Sequence, residues 1–270
     1  MPRANRYFVP GHVWHITHRC HKREFLLKFS RDRQNWIKWL FEAWKRYQLQ
    51  ILNYTVTSNH IHLLVFSEED VTALPRSIQL VAGRTAQEYN QRKNRKGAFW
   101  EDRYHATAVD TDKHLLKCML YIDLNMVRAG VVEHPRQWPF TGYHEITSPP
   151  ERYRLINREK LLEFLEGTDE ATLVRDYASW VDDALGCGER REPDWTNSIA
   201  VGTRAFVERI QAKLGFKAVG RKIIGNDKSP GSVLRETPDS YNAHFGDEIG
   251  VLRQNNSLLL WNVLSQNSTD

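Results

Sequence analysis

The sequence predicts an α+β fold, and three observations support that class. Short runs with strand-like composition alternate with longer segments in which apolar residues recur every three or four positions. Apolar residues make up 41% of the 270 positions, with 9 Trp, 10 Tyr and 11 Phe, which is typical of a packed core. After the Pro-containing stretch at 147–150, the recognisable patterns are helical. A chain of this length can bury a core of its own.

The first part of the chain contains four predicted strands and three predicted helices. In order these are a strand at 13–19, a helix from Ser30 to 47, strands at 49–56 and 60–66, a helix at 73–92, a strand at 104–110 and a helix at 112–129. Ser30 is a good N-cap for the first helix, and Gly130 terminates the last. This is the ferredoxin-like split pattern with one helix added, and it predicts an antiparallel sheet with helices on one face.

The second part is predicted to be a mainly helical extension. Helices are expected at 158–166, 170–185 and 202–214, followed by a basic loop that ends at Lys222. This loop either adds contacts to a partner or packs against the rest of the chain. The last 45 or so residues are rich in Asn, Ser, Asp and Gly and are predicted to be poorly ordered, although 258–264 is apolar enough to dock. We place the domain boundary between residues 146 and 147.

Positive charge is concentrated in the first part. Residues 1–148 contain 22 basic and 14 acidic side chains, a net charge of +8, whereas the remainder has a net charge of −3. An excess confined to one part indicates a polyanionic partner such as nucleic acid, because phosphate neutralisation supplies affinity. A merely basic surface gives the same composition.

The chain is predicted to be cytoplasmic and without membrane contact. No apolar run approaches the roughly 18 residues that cross a bilayer, and the N-terminal residues lack the apolar core of a signal peptide. Three cysteines, Cys20, Cys118 and Cys187, are far apart and odd in number. They indicate reduced thiols rather than disulfides or a zinc site.

Two histidines form the first candidate site. His60 and His62 are two positions apart in a predicted strand, so their side chains point to the same face and Ile61 points to the other. Two converging imidazoles supply half of a divalent metal site. The pair alone is a weak indication, because histidines on a polar sheet face are also found simply hydrogen-bonded.

A tyrosine and an amide on the last predicted helix form the second candidate. Tyr121 and Asn125 are four residues apart and therefore share a helix face. A phenol can be a nucleophile and a carboxamide a third metal ligand. Taken alone, Tyr121 would be interpreted as a core tyrosine with a hydrogen-bonded hydroxyl. The combination with the histidine pair and a basic, ferredoxin-like half favours a catalytic role.

Three blocks carry a family resemblance: NHIHLLV at 59–65, WEDRYH at 100–105 and YIDLNMVRAG at 121–130. They resemble, in the correct order, the signature blocks of the REP-associated tyrosine transposases. These are HUH enzymes related to the insertion-sequence transposases that move single-stranded DNA. The resemblance covers about residues 1–145, so residues 1–146 are predicted to be the catalytic domain.

The resemblance implies a reaction and roles for four residues. It implies that His60, His62 and Asn125 bind Mg²⁺ or Mn²⁺ and that Tyr121 attacks a single DNA strand at hairpin-forming repeats. The expected products are a 5′-phosphotyrosine link and a free 3′-hydroxyl, and a second 3′-hydroxyl can reverse the step. The active unit is either a monomer or a homodimer.

Further residues are assigned by charge and position. Lys117, one turn before Tyr121, is either a cation beside the phenol or an exposed lysine. Tyr104 is a competing nucleophile, ranked lower because it has no i+4 ligand partner, and Arg103 binds phosphate or pairs with a neighbouring carboxylate. The predicted DNA contacts are Arg3, Arg6, Lys22, Arg23, Arg84, Arg92, Lys93, Arg95, Lys96, Arg103 and Lys117. The resemblance implies that the N-terminal arm, with Arg3 and Arg6, reads a short guide sequence at the foot of the hairpin.

Other protein classes fit parts of the pattern. A histidine-triad hydrolase needs a third histidine where Leu64 stands, and a two-histidine phosphoesterase needs a second counterpart to His15 and Thr17. Relaxases and replication initiators usually carry the tyrosine before the histidine pair. A domesticated protein that binds DNA without cleaving it remains the main alternative, although a non-cleaving protein would be free to lose the four candidate residues.

Overall fold

The computed structural model describes residues 8–111, 113–167, 169–188, 192–226 and 231–236. The first part contains the predicted elements in the predicted order, and the α+β class is confirmed. These elements are β1 (His12–Arg19), α1 (Ser30–Tyr47), β2 (Gln50–Val56), β3 (His60–Ser67), α2 (Ala73–Arg92), β4 (His105–Val109) and α3 (Lys113–Asp123). The predicted last helix is divided, because Leu124 has ψ near 2° and a second helix, α4 (Asn125–Arg128), follows it.

The second part contains the predicted helices and, in addition, three strands. Helix α5 (Tyr143–Thr147) spans the expected boundary, and the elements after it are α6 (Arg158–Phe164), α7 (Glu170–Gly186), α8 (Asp194–Asn197), β5 (Ala200–Gly202), α9 (Arg204–Leu214), β6 (Arg221–Asn226) and β7 (Gly231–Glu236). The segment expected to be a basic loop instead enters β6 at Arg221. Residues 237–270, including the apolar stretch 258–264, lie outside the described residues. No helix in the described ranges is long and apolar enough to cross a membrane.

One seven-stranded sheet joins the two parts of the chain. Its strand order is β2-β3-β1-β4-β5-β7-β6. Strand β1 is central to the first part and runs antiparallel to both β3 and β4. Strand β5 pairs in parallel with β4 and antiparallel with β7. The sheet therefore contains strands from both sides of the expected domain boundary between residues 146 and 147. The boundary itself stays a prediction.

Helices cover both faces of the sheet rather than one. On one face His18 stacks on Trp100 at 4.1 Å between ring centroids, and the Trp100 Nε1 donates to the carbonyl of Ala82 in α2. His15, on the opposite face of β1, lies with its ring 6.1 Å from that of Tyr121 in α3. The run from Ile61 to Val65 is buried throughout. Because β3 is buried on both faces, both need a helical cover.

A buried carboxylate ties α3 to the second part of the chain. Asp123 is 1% exposed and accepts hydrogen bonds from the Thr141 hydroxyl and the Tyr177 hydroxyl of α7. Burial raises the pKa of Asp123 to about 6, and the donors around it oppose this rise. The carboxylate therefore depends on these donors to stay charged at neutral pH.

Replacing Tyr177 by Phe is expected to lower the free energy of unfolding by about 1–3 kcal/mol at pH 7.5, because a buried carboxylate loses a donor. Urea unfolding measures this change. Tyr153→Phe is the matched control, since Tyr153 is 77% exposed and its substitution should cost less than about 0.5 kcal/mol. Equal effects of the two substitutions would show that the Asp123 hydrogen bonds do not stabilise the fold.

Candidate active site

The two predicted histidines project from β3 into a polar region of the sheet. Thr17 of β1 pairs with His62 on one side and with His105 of β4 on the other, so these side chains share one face. The rings of His60 and His62 lie 4.9 Å apart and nearly perpendicular. The strand alternation that predicted their convergence is therefore confirmed.

Tyr121 approaches this face from α3. Its ring centroid lies 5.7 Å from that of His62, with the two planes nearly perpendicular, and the residue is 5% exposed. Asn125 reaches the same histidine from α4, with 3.0 Å between its Nδ2 and the His62 Nε2. The structure thus brings together all four residues that the sequence singled out.

Hydrogen bonds from neighbouring side chains hold the two imidazoles by their Nδ1 atoms. His60 Nδ1 lies 2.7 Å from Asn59 Oδ1 and 3.0 Å from Thr57 Oγ1. His62 Nδ1 lies 2.9 Å from the Nε2 of His15. The Nε2 atoms of His60 and His62 are therefore the ring nitrogens that can serve as ligands. Among the described residues no group of three or more His, Cys, Asp or Glu side chains could hold a metal, so a site here requires the amide.

Burial keeps His62 and His15 neutral. It lowers the pKa of His62 well below the usual value, and the neighbouring His60, His15, Arg128 and Arg19 lower it further. Burial also lowers the pKa of His15 to about 3, against a weaker opposing effect of its hydrogen bond to the Trp195 carbonyl. A neutral imidazole retains the lone pair that a metal requires.

His18, on the opposite face of β1, is expected to lower the stability of the fold in acid. Burial lowers the pKa of His18 to about 4, although its hydrogen bond to the Asp102 carbonyl raises it. His18 therefore takes up a proton near pH 6.5 in the unfolded chain but only near pH 4 in the folded chain. The free energy of unfolding consequently falls as the pH falls from 6.5 toward 4. Between pH 7.5 and 5 the protonation of His18 should lower the free energy of unfolding by about 2 kcal/mol.

His18→Gln is expected to show a loss of unfolding free energy about 2 kcal/mol smaller than that of the wild type over this interval. Urea unfolding at both pH values measures it. Asp123, whose pKa is raised to about 6, has the opposite dependence, but it is present in both proteins and cancels in the difference. Parallel losses in the two proteins would contradict the depressed His18 pKa.

Arg128 is a site residue that the sequence reasoning did not assign. Its Cζ lies 4.4 Å from the centroid of the Tyr121 ring, and its Nη2 donates to the Tyr121 carbonyl. A guanidinium at this position favours negative charge on the phenol or on a phosphate beside it. A local signal existed, because Tyr121, Asn125 and Arg128 follow the i, i+4, i+7 spacing of one helix face.

The second part of the chain also reaches the site. The Trp195 carbonyl lies 2.9 Å from the His15 Nδ1, and the Trp195 ring lies 6.4 Å from that of Tyr121. Thr196 and Asn197 line the same cleft. No local sequence pattern indicates these contacts, because they join residues far apart in the chain.

A cleft of about 930 Å³ opens over these side chains. Tyr121, His60, His62 and Asn125 all line it. Among the described residues the charged members of its wall are Arg19, Arg23, Arg103, Arg128, Glu101 and Asp102. The arginines outnumber the acids, and this balance suits a phosphate-containing ligand.

The predicted DNA contacts divide into four groups. Arg23 and Arg103 line the cleft, and exposed Lys22 lies on the same turn as Arg23. Lys117 is half-buried on α3 and does not line the cleft. Five others lie along or after α2, which covers the opposite face of the sheet: Arg84, Arg92, Lys93, Arg95 and Lys96. Arg3 and Arg6 lie outside the described residues. All of these roles stay predictions.

Comparison with known proteins finds similarity to transposases. Residues 8–125 match the family model described as "Transposase IS200 like". The family resemblance is confirmed. The matched region contains His60, His62, Tyr121 and Asn125, whereas Arg128 and Trp195 lie beyond it.

A protein of Haemophilus influenzae named as a REP-associated tyrosine transposase is 28% identical over 109 residues. The alignment covers 37% of this chain and 62% of that protein, so the chain spans less than two thirds of the relative's length.

Two solved structures are also similar. A REP-associated tyrosine transposase bound to a REP hairpin has a TM-score of 0.44 at 21% identity, covering 54% of this chain and 84% of the other. A protein of Deinococcus radiodurans described as a transposase has a TM-score of 0.32 at 12% identity, covering 46% and 93%. Both scores are below 0.5 and add nothing to the family match.

Proposed function

We propose that this chain is a metal-dependent, HUH-type single-strand DNA endonuclease and strand transferase that acts through Tyr121 at hairpin-forming repeats. The observation that carries the proposal is the convergence of Tyr121, His60, His62 and Asn125 on one cleft. The match of the transposase family model to the region that contains all four residues supports it.

The donor set fits a hard divalent cation. Two imidazole nitrogens and one amide oxygen, without a thiolate, disfavour a structural zinc site. They suit Mg²⁺ or Mn²⁺ whose remaining positions are filled by water and phosphate oxygens. His60 and His62 would bind through Nε2, and a half-turn of the Asn125 carboxamide presents its Oδ1 to the point that Nδ2 now faces. When bound, the metal polarises the scissile phosphate and neutralises developing charge.

Tyr121 is the nucleophile in this proposal. Its phenolic oxygen loses its proton to solvent and attacks the scissile phosphorus, and a Tyr121–phosphate ester forms as the bond to the 3′-oxygen breaks. That oxygen takes up a proton and leaves as a free 3′-hydroxyl, while the 5′-phosphate stays on Tyr121. Attack by another 3′-hydroxyl on the ester reverses the step and joins strands. Arg128 lies over the Tyr121 ring and favours the phenolate form.

The substrate is single-stranded DNA beside a hairpin. The arginine-rich wall of the cleft favours the phosphates of a DNA backbone. Strand transfer needs no external energy source, because the phosphotyrosine bond conserves the energy of the bond that was cut.

Covalent capture of DNA tests this proposal. Purified protein is incubated with a labelled hairpin oligonucleotide from the repeats that flank the native gene, with Mn²⁺, Mg²⁺ or EDTA, and is then resolved under denaturing conditions. A protein–DNA adduct and a fragment with a free 3′-hydroxyl are expected with either metal and not with EDTA. Binding of the same oligonucleotide without adduct or cleavage under any condition would refute the proposal and favour a non-cleaving DNA-binding protein.

A further inference from the structure

His15 occupies the centre of β1 and has no role in the reaction as proposed above. It is fully buried, and both of its ring nitrogens are hydrogen-bonded. Its Nδ1 lies 2.9 Å from the Trp195 carbonyl oxygen, and its Nε2 lies 2.9 Å from the Nδ1 of His62. The imidazole therefore bridges the second part of the chain and a candidate metal ligand.

The Trp195 carbonyl, His15, His62 and Asn125 form a series of hydrogen-bonded groups, and the carbonyl fixes the direction of every hydrogen bond in this series. The Trp195 carbonyl can only accept, so His15 carries its proton on Nδ1. The Nε2 of the neutral ring then has a lone pair and accepts from the His62 Nδ1–H. His62 consequently presents an unprotonated Nε2 on its other side, where the Asn125 Nδ2 donates to it at 3.0 Å. All four groups agree with a single set of proton positions.

The segment that carries the Trp195 carbonyl is held against β4, and the carbonyl oxygen itself lies 3.2 Å from the Thr107 Oγ1. The carbonyl of Ser198 accepts from the Thr107 hydroxyl at 2.7 Å and from the His105 Nε2 at 2.9 Å, both in β4. The Trp195 side chain is 2% exposed, and its Nε1 donates to Glu192. The segment that carries the Trp195 carbonyl is thus fixed by the pairing of β5 with β4.

We propose that His15, held by the Trp195 carbonyl, is a positioning residue that sets the tautomer and ring orientation of His62, so that the His62 Nε2 faces the metal position. The segment around Trp195 thereby completes the site from outside the region that matches the transposase family. The value of this arrangement for metal binding rests on the proposed function, whereas the tautomer of His62 does not.

Two substitutions of His15 separate hydrogen bonding from packing. A glutamine can donate through its Nε2 to the Trp195 carbonyl and accept through its Oε1 from His62, so His15→Gln preserves the series. His15→Phe keeps a ring in the core but removes both hydrogen bonds. Circular dichroism and thermal unfolding establish that each variant is folded, and His15→Leu replaces His15→Phe if the latter does not fold.

Long-range ¹H–¹⁵N NMR of the full chain labelled with ¹⁵N-histidine reads the tautomers without metal or DNA. We expect the Nδ1–H form for both His15 and His62 in the wild type, and the same form of His62 in His15→Gln. In His15→Phe we expect His62 to lose this form. An Nε2–H form of His62 in the wild type, or an unchanged His62 in His15→Phe, would overturn the proposal.

Calorimetric titration with Mn²⁺ provides the second measurement. Metal affinity should fall about 10- to 100-fold in His15→Phe and by less than about 3-fold in His15→Gln. Equal affinity of His15→Phe and the wild type would overturn the positioning role. The expected tautomers together with no Mn²⁺ binding by the wild type would uphold the orientation of His62 and refute the proposed metal-dependent function instead.

Discussion

Phenylalanine in place of Tyr121 is expected to abolish the covalent adduct and to reduce DNA cleavage by at least about 10⁴-fold, because no other group takes over a lost nucleophile. The substitution removes one oxygen atom and leaves the ring contacts with His62 and Arg128 in place. Binding of the hairpin oligonucleotide should therefore change by less than about 3-fold. Gel assays of adduct and cleavage, with fluorescence anisotropy for binding, measure these quantities.

Tyr104→Phe is the matched control for this prediction. Tyr104 does not line the cleft, and its ring lies 6.3 Å from His18, on the face of the sheet opposite His62. The control should form the adduct at the wild-type rate. Full adduct formation by Tyr121→Phe, with loss in Tyr104→Phe, would assign the reaction to the other tyrosine.

Alanine in place of His62 is expected to reduce metal-dependent adduct formation at least about 100-fold. The substitution removes one of three candidate ligands and the hydrogen-bonding partner of both His15 and Asn125. DNA binding through the arginines of the cleft should be retained. Adduct yield as a function of Mn²⁺ concentration measures the loss, and high Mn²⁺ should restore at most a small part of it.

His12→Ala is the control for the histidine prediction. His12 lies at the other end of β1, where it pairs with Ser67, and its Nδ1 bonds the carbonyl of Pro10. The control should keep the wild-type dependence on Mn²⁺. If His62→Ala reacted with the same metal dependence as this control, His62 would not be a metal ligand.

Local periodicity was sufficient to predict the elements of the fold but not their complete assembly. The apolar stripe containing Trp36 and Leu40 is buried as a helix face should be. The break at Leu124 was not predicted, because neither Leu124 nor Asn125 disfavours a helix strongly. Strand β5 is three residues long, too short for any alternation to be visible in the sequence.

The candidate site, like the fold, could be predicted from the sequence only in part. Spacings of two in a strand and four in a helix are local, and they placed His60 with His62 and Tyr121 with Asn125. The contact between His15 and Trp195 joins residues 180 positions apart and depends on how β5 adds to the sheet. No periodicity carries that information, so the contribution of the second part required the structure.

The most direct test of the account is to identify the residue that becomes linked to DNA. Trypsin places Tyr121 in the peptide 118–128, where it is the sole tyrosine, and Tyr104 in the separate peptide 104–113. After reaction with the hairpin oligonucleotide and Mn²⁺ and digestion of the DNA, mass spectrometry should find the nucleotide adduct on peptide 118–128. An adduct on another peptide would contradict the account, as would cleaved DNA without any linked peptide.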